Sequence, residues 1–334
     1  MILRLMRFLL FFFSASVISK ADAQRIVIML QQKQSTSLRG LSVVDDNVAW
    51  VSGSKGCVGI TTDGGKSWHW QIVAGYEKAD FRDIEAFSAK EAIIMSSGTP
   101  ALILKTTNGG ASWNLAYRND NKAYFFDAMD FYKSKHGWVL GDPIDSQFLL
   151  LETNDAGNTW VERKDIAPLA IKDEAAFAAS GTCLRTVGNK ILIVTGGSVS
   201  RIIMIKGKKQ QALQLPLKQG LSSQGAFSLA VSRKHYVITG GDYNNDKNSE
   251  LISCIINNNI INEPHKGPSG YQSGVEHIGG INYLSTGTSG SNLSTDNGKN
   301  WVRIDTVSFN VCRKAKKGKL VLLAGNNGKI AVLK

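Results

Sequence analysis

From Leu38 onward the chain alternates short apolar runs with polar turns. Leu38 to Val44, Val48 to Ser52, Val58 to Thr62 and Trp68 to Val73 are separated by Asp45-Asp46-Asn47, Gly53-Ser54-Lys55-Gly56 and Asp63-Gly64-Gly65. Runs this short, bounded by Asp, Asn and Gly, predict β-strands joined by tight turns rather than helices. The four-run unit returns over about 81–117, 125–163, 175–215, 225–262 and 274–304. A last segment offers three runs, Phe309 to Arg313, Leu320 to Ala324 and Lys329 to Leu333. The fourth strand of that unit is expected from Arg25 to Leu30, so that one end of the chain completes the sheet begun by the other and no sheet edge is left open.

One turn is written four times. Thr61-Thr62-Asp63-Gly64-Gly65-Lys66-Ser67-Trp68 recurs at 106–113, 153–160 and 294–301, with the frame Ser/Thr-x-Asp/Asn-x-Gly-x-x-Trp. Asp63, Asn108, Asp155 and Asp296 are placed to cap backbone N–H groups, the glycine supplies a positive φ, and Trp68, Trp113, Trp160 and Trp301 each bury a large ring. The Trp residues are 45, 47 and then 141 apart, the last being three times 47, so two copies have decayed near 207 and 254. A period in the forties with four strands per unit predicts an all-β fold: a seven-bladed β-propeller of four-stranded antiparallel blades. Residues 24–334 divide into seven units of about 44 residues, with no linker or second domain.

Residues 1–23 lie outside this pattern. Arg4 and Arg7 flank an apolar run, Leu9 to Phe13, followed by small residues and Ala21-Asp22-Ala23. That arrangement predicts a cleaved secretory leader, too short in its apolar core to be a membrane anchor, and a periplasmic or secreted location. The formal charge of +12 is compatible with anionic partners but does not single one out. Cys57, Cys183, Cys254 and Cys312 allow three disulfide pairings; each falls in a different unit, which favours buried free thiols. Neither zinc nor haem spacing is present, and no G-x-G-x-x-G follows a strand, so no metal or cofactor is expected. The basic run Arg313 to Lys319 reads as a solvated turn without the alternating aromatics of a nucleic-acid platform.

In a propeller the innermost strands line a central channel. The loops into those strands, with the second-to-third hairpins, form one face, and the repeated turns lie on the other, where their Asp residues are structural. On the first face the sequence offers Arg39, Arg82, Asp127, Asp142, Arg201, Asp242, Thr286, Ser289 and Arg313 as ligand-binding candidates, with Tyr271, Glu174 and Asp83 as candidates for catalysis.

The four turns resemble the Asp-box, or bacterial neuraminidase repeat, of sialidases, other glycosidases, sortilin-like receptors and assembly factors. As a whole the chain is more similar to the Asp-box propellers related to the photosystem II stability and assembly factor, in Leu38-Arg39-Gly40-Leu41-Ser42, Phe81-Arg82-Asp83-Ile84, Trp138-Val139-Leu140-Gly141-Asp142-Pro143 and Thr286-Gly287-Thr288-Ser289-Gly290. That resemblance implies a monomeric binding or assembly platform for an envelope protein or a glycan, and no enzyme. The alternative it leaves is a sialidase-like glycoside hydrolase, which would need an arginine cluster on the substrate carboxylate, a Tyr271 nucleophile activated by Glu174, and an acid/base aspartate. Against it, Arg39 is followed by Gly40-Leu41, where sialidases carry Ile-Pro.

Overall fold

The computed structural model describes residues 27–31 and 35–334. The expected leader at 1–23 lies outside them. Among the described residues no helix is long and apolar enough to cross a membrane.

Seven antiparallel sheets surround a channel. Their innermost strands are Leu38–Val43, Phe81–Ala86, Phe126–Tyr132, Leu184–Val187, Gln224–Ser232, Gly274–Gly279 and Val311–Lys314, each followed outward by its successive hairpin partners. In the seventh blade Val311–Lys314, Val321–Ala324 and Ile330–Leu333 come from the end of the chain. Val27–Gln31 forms the outermost strand, with Val27 opposite Leu333 and Met29 opposite Ala331. The expected closure of the ring is present, and the edge of Ile330–Leu333 is covered.

Burial follows blade geometry. The inner strands are buried almost throughout, as in Ala49–Gly53 and Cys57–Thr61, while the outermost strand His69–Ile72 is half-exposed to exposed. Apolar side chains of one blade interleave with those of the next, so the core is a set of wedges between sheets.

The repeated turns fasten these wedges. The hydroxyls of Thr61, Thr106, Thr153 and Ser294 each accept the N–H of the glycine four residues on, Gly65, Gly110, Gly157 and Gly298, at 2.9 Å. The Oδ1 atoms of Asp63, Asn108, Asp155 and Asp296 accept the N–H four residues on at 2.9–3.0 Å. Each turn then leans on the preceding blade. A Cβ on Gly157 would stand 2.3 Å from Ile93, and one on Gly298 would stand 3.0 Å from Val237. The indole of Trp113 meets Trp50 edge-on, and Trp160 meets Phe131.

The two decayed copies are ordinary hairpins. In blade 4 Lys206 pairs with Lys209 across Gly207-Lys208, and in blade 5 Asn257 pairs with Ile260 across Asn258-Asn259. Asn258 and Asn259 have positive φ, the conformation that a two-residue β-turn requires. The strict four-stranded pattern is modified once: Glu174–Ala175 and Gly196–Gly197 extend the fifth sheet to six strands. All four cysteines are buried and unpaired.

Candidate functional site

Four innermost strands begin with the same irregularity. Register shifts between Leu38/Gly40, Phe81/Asp83, Phe126/Ala128 and Ala226/Ser228 leave Arg39, Arg82, Asp127 and Phe227 as bulged residues. A bulge re-aims the extra side chain, and here it brings three of the sequence candidates to one end of the channel. The Arg39 guanidinium is largely buried and donates to the carbonyl of Ala179 at 3.4 Å. Burial holds its pKa below the ordinary value, with Arg82 acting in the same direction. Arg82 is paired with Asp80 at 2.7 Å. Asp127 is buried, and among the described residues neither of its carboxylate oxygens has a hydrogen-bond partner. Burial, and then the neighbouring Asp142, raise its pKa well above the usual carboxylate range. Asp142 is itself pushed up to about 6 by burial, while the Ala176 N–H at 3.3 Å favours the ionised form.

This end is plugged. Before its inner strand, blade 4 sends residues 176–182 into the channel, where nearly all are buried. Ser180 donates to Ser273 of blade 6 at 2.7 Å, and Arg313 of blade 7 donates to Gly181 at 3.3 Å. Phe177 stacks on Phe227 with ring centroids 3.7 Å apart, and Tyr271 meets Phe227 edge-on at 4.9 Å. The Tyr271 hydroxyl, pushed up by burial, is not an ionisable nucleophile at neutral pH.

The remaining candidates do not converge on this cluster. Both Glu174 oxygens are taken: Oε1 by Arg201 Nε at 2.8 Å and Thr195 Oγ1 at 2.6 Å, Oε2 by Arg201 Nη2 and the Ile171 N–H. Glu174 and Arg201 are thus a satisfied buried pair, and no Tyr271–Glu174 contact is present among the described residues. Asp242 accepts from Gln224, Thr286 shares a hydrogen bond with Ser291, and Ser289 donates to the carbonyl of Asp246. Asp83 is buried under the plug, accepting from the Met129 N–H at 2.7 Å. Arg313 lies deeper, donating to Leu41 and Gly181, with Glu276 at 3.7 Å. The four candidate arginines, Arg39, Arg82, Arg201 and Arg313, are divided among four separate sets of partners.

The large opening is at the other end of the channel, on the face of the repeated turns. A cavity of about 900 Å³ is bounded by the ends of all seven innermost strands and their first hairpins. Its lining carries seven basic side chains, Lys133, Arg185, Arg233, Arg313, Lys314, Lys316 and Lys317, against four carboxylates, Glu85, Glu91, Asp130 and Glu276. The deeper charges are compensated. Arg185 lies 3.2 Å from Glu276 and 3.9 Å from Asp130, and Lys316 bridges to Glu85 and the carbonyl of Ala86. Among the described residues Lys133, Arg233 and Lys317 have no carboxylate partner, and they leave the rim positive. The basic run at 313–319 is an exposed turn over 316–319, as expected; it also edges this mouth and bonds to blade 1 through Lys316 and Lys317 N–H groups. Of the sequence candidates for ligand binding, only Arg313 lines the cavity. The signal that would have found the others is a charged residue in the later part of five of the seven innermost strands: Glu85, Asp130, Arg185, Glu276 and Arg313. Nothing in this lining forms a metal-binding cluster among the described residues.

Residues 23–123 match the family described as photosynthesis system II assembly factor YCF48. The chain resembles that family through its first two blades. Over 67 residues it is 36% identical to the photosystem II stability/assembly factor HCF136, chloroplastic, of Arabidopsis thaliana, a stretch covering 19% of this chain and 15% of that relative. The Oryza sativa protein of the same description matches equally. Among solved structures, one described as YCF48 bound to D1 peptide superposes with a TM-score of 0.65 at 13% identity, covering 92% of this chain and 96% of that one. YCF48 from Cyanidioschyzon merolae gives 0.64 at 14% identity, covering 92% and 98%. At this identity the superposition speaks for the shared fold, and the WD40 repeats of RRP9 match as well, with a TM-score of 0.65.

Proposed function

We propose that this protein is a binding and assembly platform, and that its working surface is the basic channel mouth on the face of the repeated turns. One observation carries the reading: a cavity of about 900 Å³ to which every blade contributes, with a positive rim above compensated internal charges. A positive rim attracts an anionic chain at long range, and a wide shallow mouth suits an extended segment better than a small enclosed substrate. A solved structure of similar fold is described as YCF48 bound to D1 peptide, which supports a peptide as the ligand class. The leader read at 1–23 supports an exported protein acting on an envelope partner. We therefore take the partner to be an acidic segment of an envelope protein; no feature of the mouth favours a glycan.

The test is isothermal titration of the purified protein with acidic and basic peptides of equal length. Acidic peptides should bind, more weakly as salt is raised. The triple reversal Lys133→Glu, Arg233→Glu, Lys317→Glu should weaken binding at least about tenfold while leaving the melting temperature in place. Binding that ignores both salt and the reversal would overturn the reading.

A further inference from the structure

We infer that the gap between blades 3 and 4 is a receptor slot for one aromatic side chain of the bound partner. The inference rests on the platform reading above and extends it to a second, contiguous subsite.

Register locates the slot. In blade 2 Ala86 pairs with Ala92, and Ile93 with Lys105; in blade 3 Phe131 pairs with Gly137, and Trp138 with Glu152. Trp138 therefore stands where Ile93 stands one blade earlier, and Glu152 stands where Lys105 does. Ile93 is covered by the turn of the following blade, with Gly157 against it and Trp160 in the same apolar cluster. Lys105 Nζ donates to that turn at Ala156 O, 2.9 Å, and at Asn158 Oδ1, 3.1 Å. Trp138 and Glu152 face a blade whose turn has shrunk to Gly207-Lys208. The indole and its loop are missing, and a cavity of about 520 Å³ remains, walled by Trp138, Tyr132, Ile191 and Ile205.

The vacancy is shaped by what fills its counterparts. At the turns of blades 1, 2, 3 and 6 the space against the preceding blade is taken by an indole, so the slot is of a size and chemistry to accept one. Glu152 no longer serves a turn and is instead engaged by His136 at 2.7 Å and by Arg163. Lys190 and Lys208 stand exposed among the lining residues, which favours acidic neighbours for the incoming ring. Thr186 lines both this slot and the basic mouth, so a chain lying over the mouth reaches the slot without a break.

The test uses a short polyglutamate peptide with a single central Trp, the same peptide with Ala in its place, and free indole. The Trp peptide should bind about tenfold more tightly than the Ala peptide, the size of a buried aromatic anchor. Grafting residues 154–160 in place of Gly207-Lys208 supplies an indole from within. It should abolish the preference, so that the Trp and Ala peptides bind alike. Lys208→Trp, a surface substitution at the slot's rim, should do the same and serves if the graft does not fold. A Trp preference that is absent, or that survives both changes, overturns the slot while the platform stands. If neither peptide binds, the platform fails and indole decides the slot: binding that Lys208→Trp removes supports it, and no binding to the unaltered protein overturns it.

Discussion

Asp83 of blade 2 and Gly181 of the channel plug are in such close contact that a Cβ on the glycine would lie 2.2 Å from the carboxylate. Gly181 also has φ +64, a conformation that side chains resist. Two constraints meet at one residue, and the plug depends on both. Gly181→Ala is expected to cost about 2–4 kcal/mol and lower the melting temperature by several degrees. Differential scanning calorimetry checks this; a loss below about 0.5 kcal/mol would show that the crossing segment is loosely held.

Burial pushes the Asp83 carboxyl up to about 7 and that of Asp142 up to about 6, from an ordinary value of 3.8. A carboxyl raised in the folded state keeps its proton where the unfolded chain has released it. Its contribution is therefore full below pH 4 and is lost as pH climbs from about 4 through 7. Asp63 and Asp155, held near 2 by hydrogen bonds in their turns, act oppositely and weaken the fold only in stronger acid. Urea unfolding should show a maximum near pH 4–5, and Asp83→Asn should flatten the decline toward neutrality by up to about 3 kcal/mol. An unchanged slope in the variant would place the decline elsewhere.

Trp301 is almost fully buried, donates its indole N–H to Gly298 at 3.0 Å, and packs in one cluster with Val237 and Tyr283. Trp301→Ala should cost about 3–5 kcal/mol without altering peptide affinity at the channel mouth. Paired melting and titration measurements separate the two effects. A stable variant with impaired binding would make these indoles part of the recognition surface rather than fasteners.

Met29 sits opposite Ala331 in the closing sheet. Alternate residues of an edge strand donate to its one partner, so the double change Ile28→Pro, Met29→Pro removes a backbone donor from the ladder and is expected to destabilise by about 3 kcal/mol or more, with exposed strand edges promoting aggregation. Size-exclusion chromatography after mild heating reads this out; a monomeric variant with native melting behaviour would mean that the ring closes without the strand.

The ring was legible because each blade repeats one local device. The Ser/Thr, Asp/Asn, Gly and Trp of each turn interact mainly with one another and with the adjoining blade, so short-range spacing reports them, and the decayed copies expected near 207 and 254 correspond to the hairpins at 206–209 and 257–260. The site was legible only in part. Arg39, Arg82 and Asp127 do meet at one end, but that end is stopped by residues 176–182, whose Ala, Ser, Thr and Gly show no period and announce no channel-crossing segment. Glu174 looks like free acid chemistry in sequence. Its partner Arg201 comes from a different hairpin, a pairing that only three dimensions disclose.

The strand Val27–Gln31 has a consequence for biogenesis. It is synthesised long before Ile330–Leu333, the segment it must pair with, so the earliest strand waits for the latest. Sheets one to six have their partners close at hand, whereas the final seal pays the entropy of joining distant ends of the chain. Until the last residues appear, a growing molecule is an open horseshoe with two unsatisfied borders. In such an intermediate the backbone donors and acceptors of both borders stay exposed until the ring is sealed.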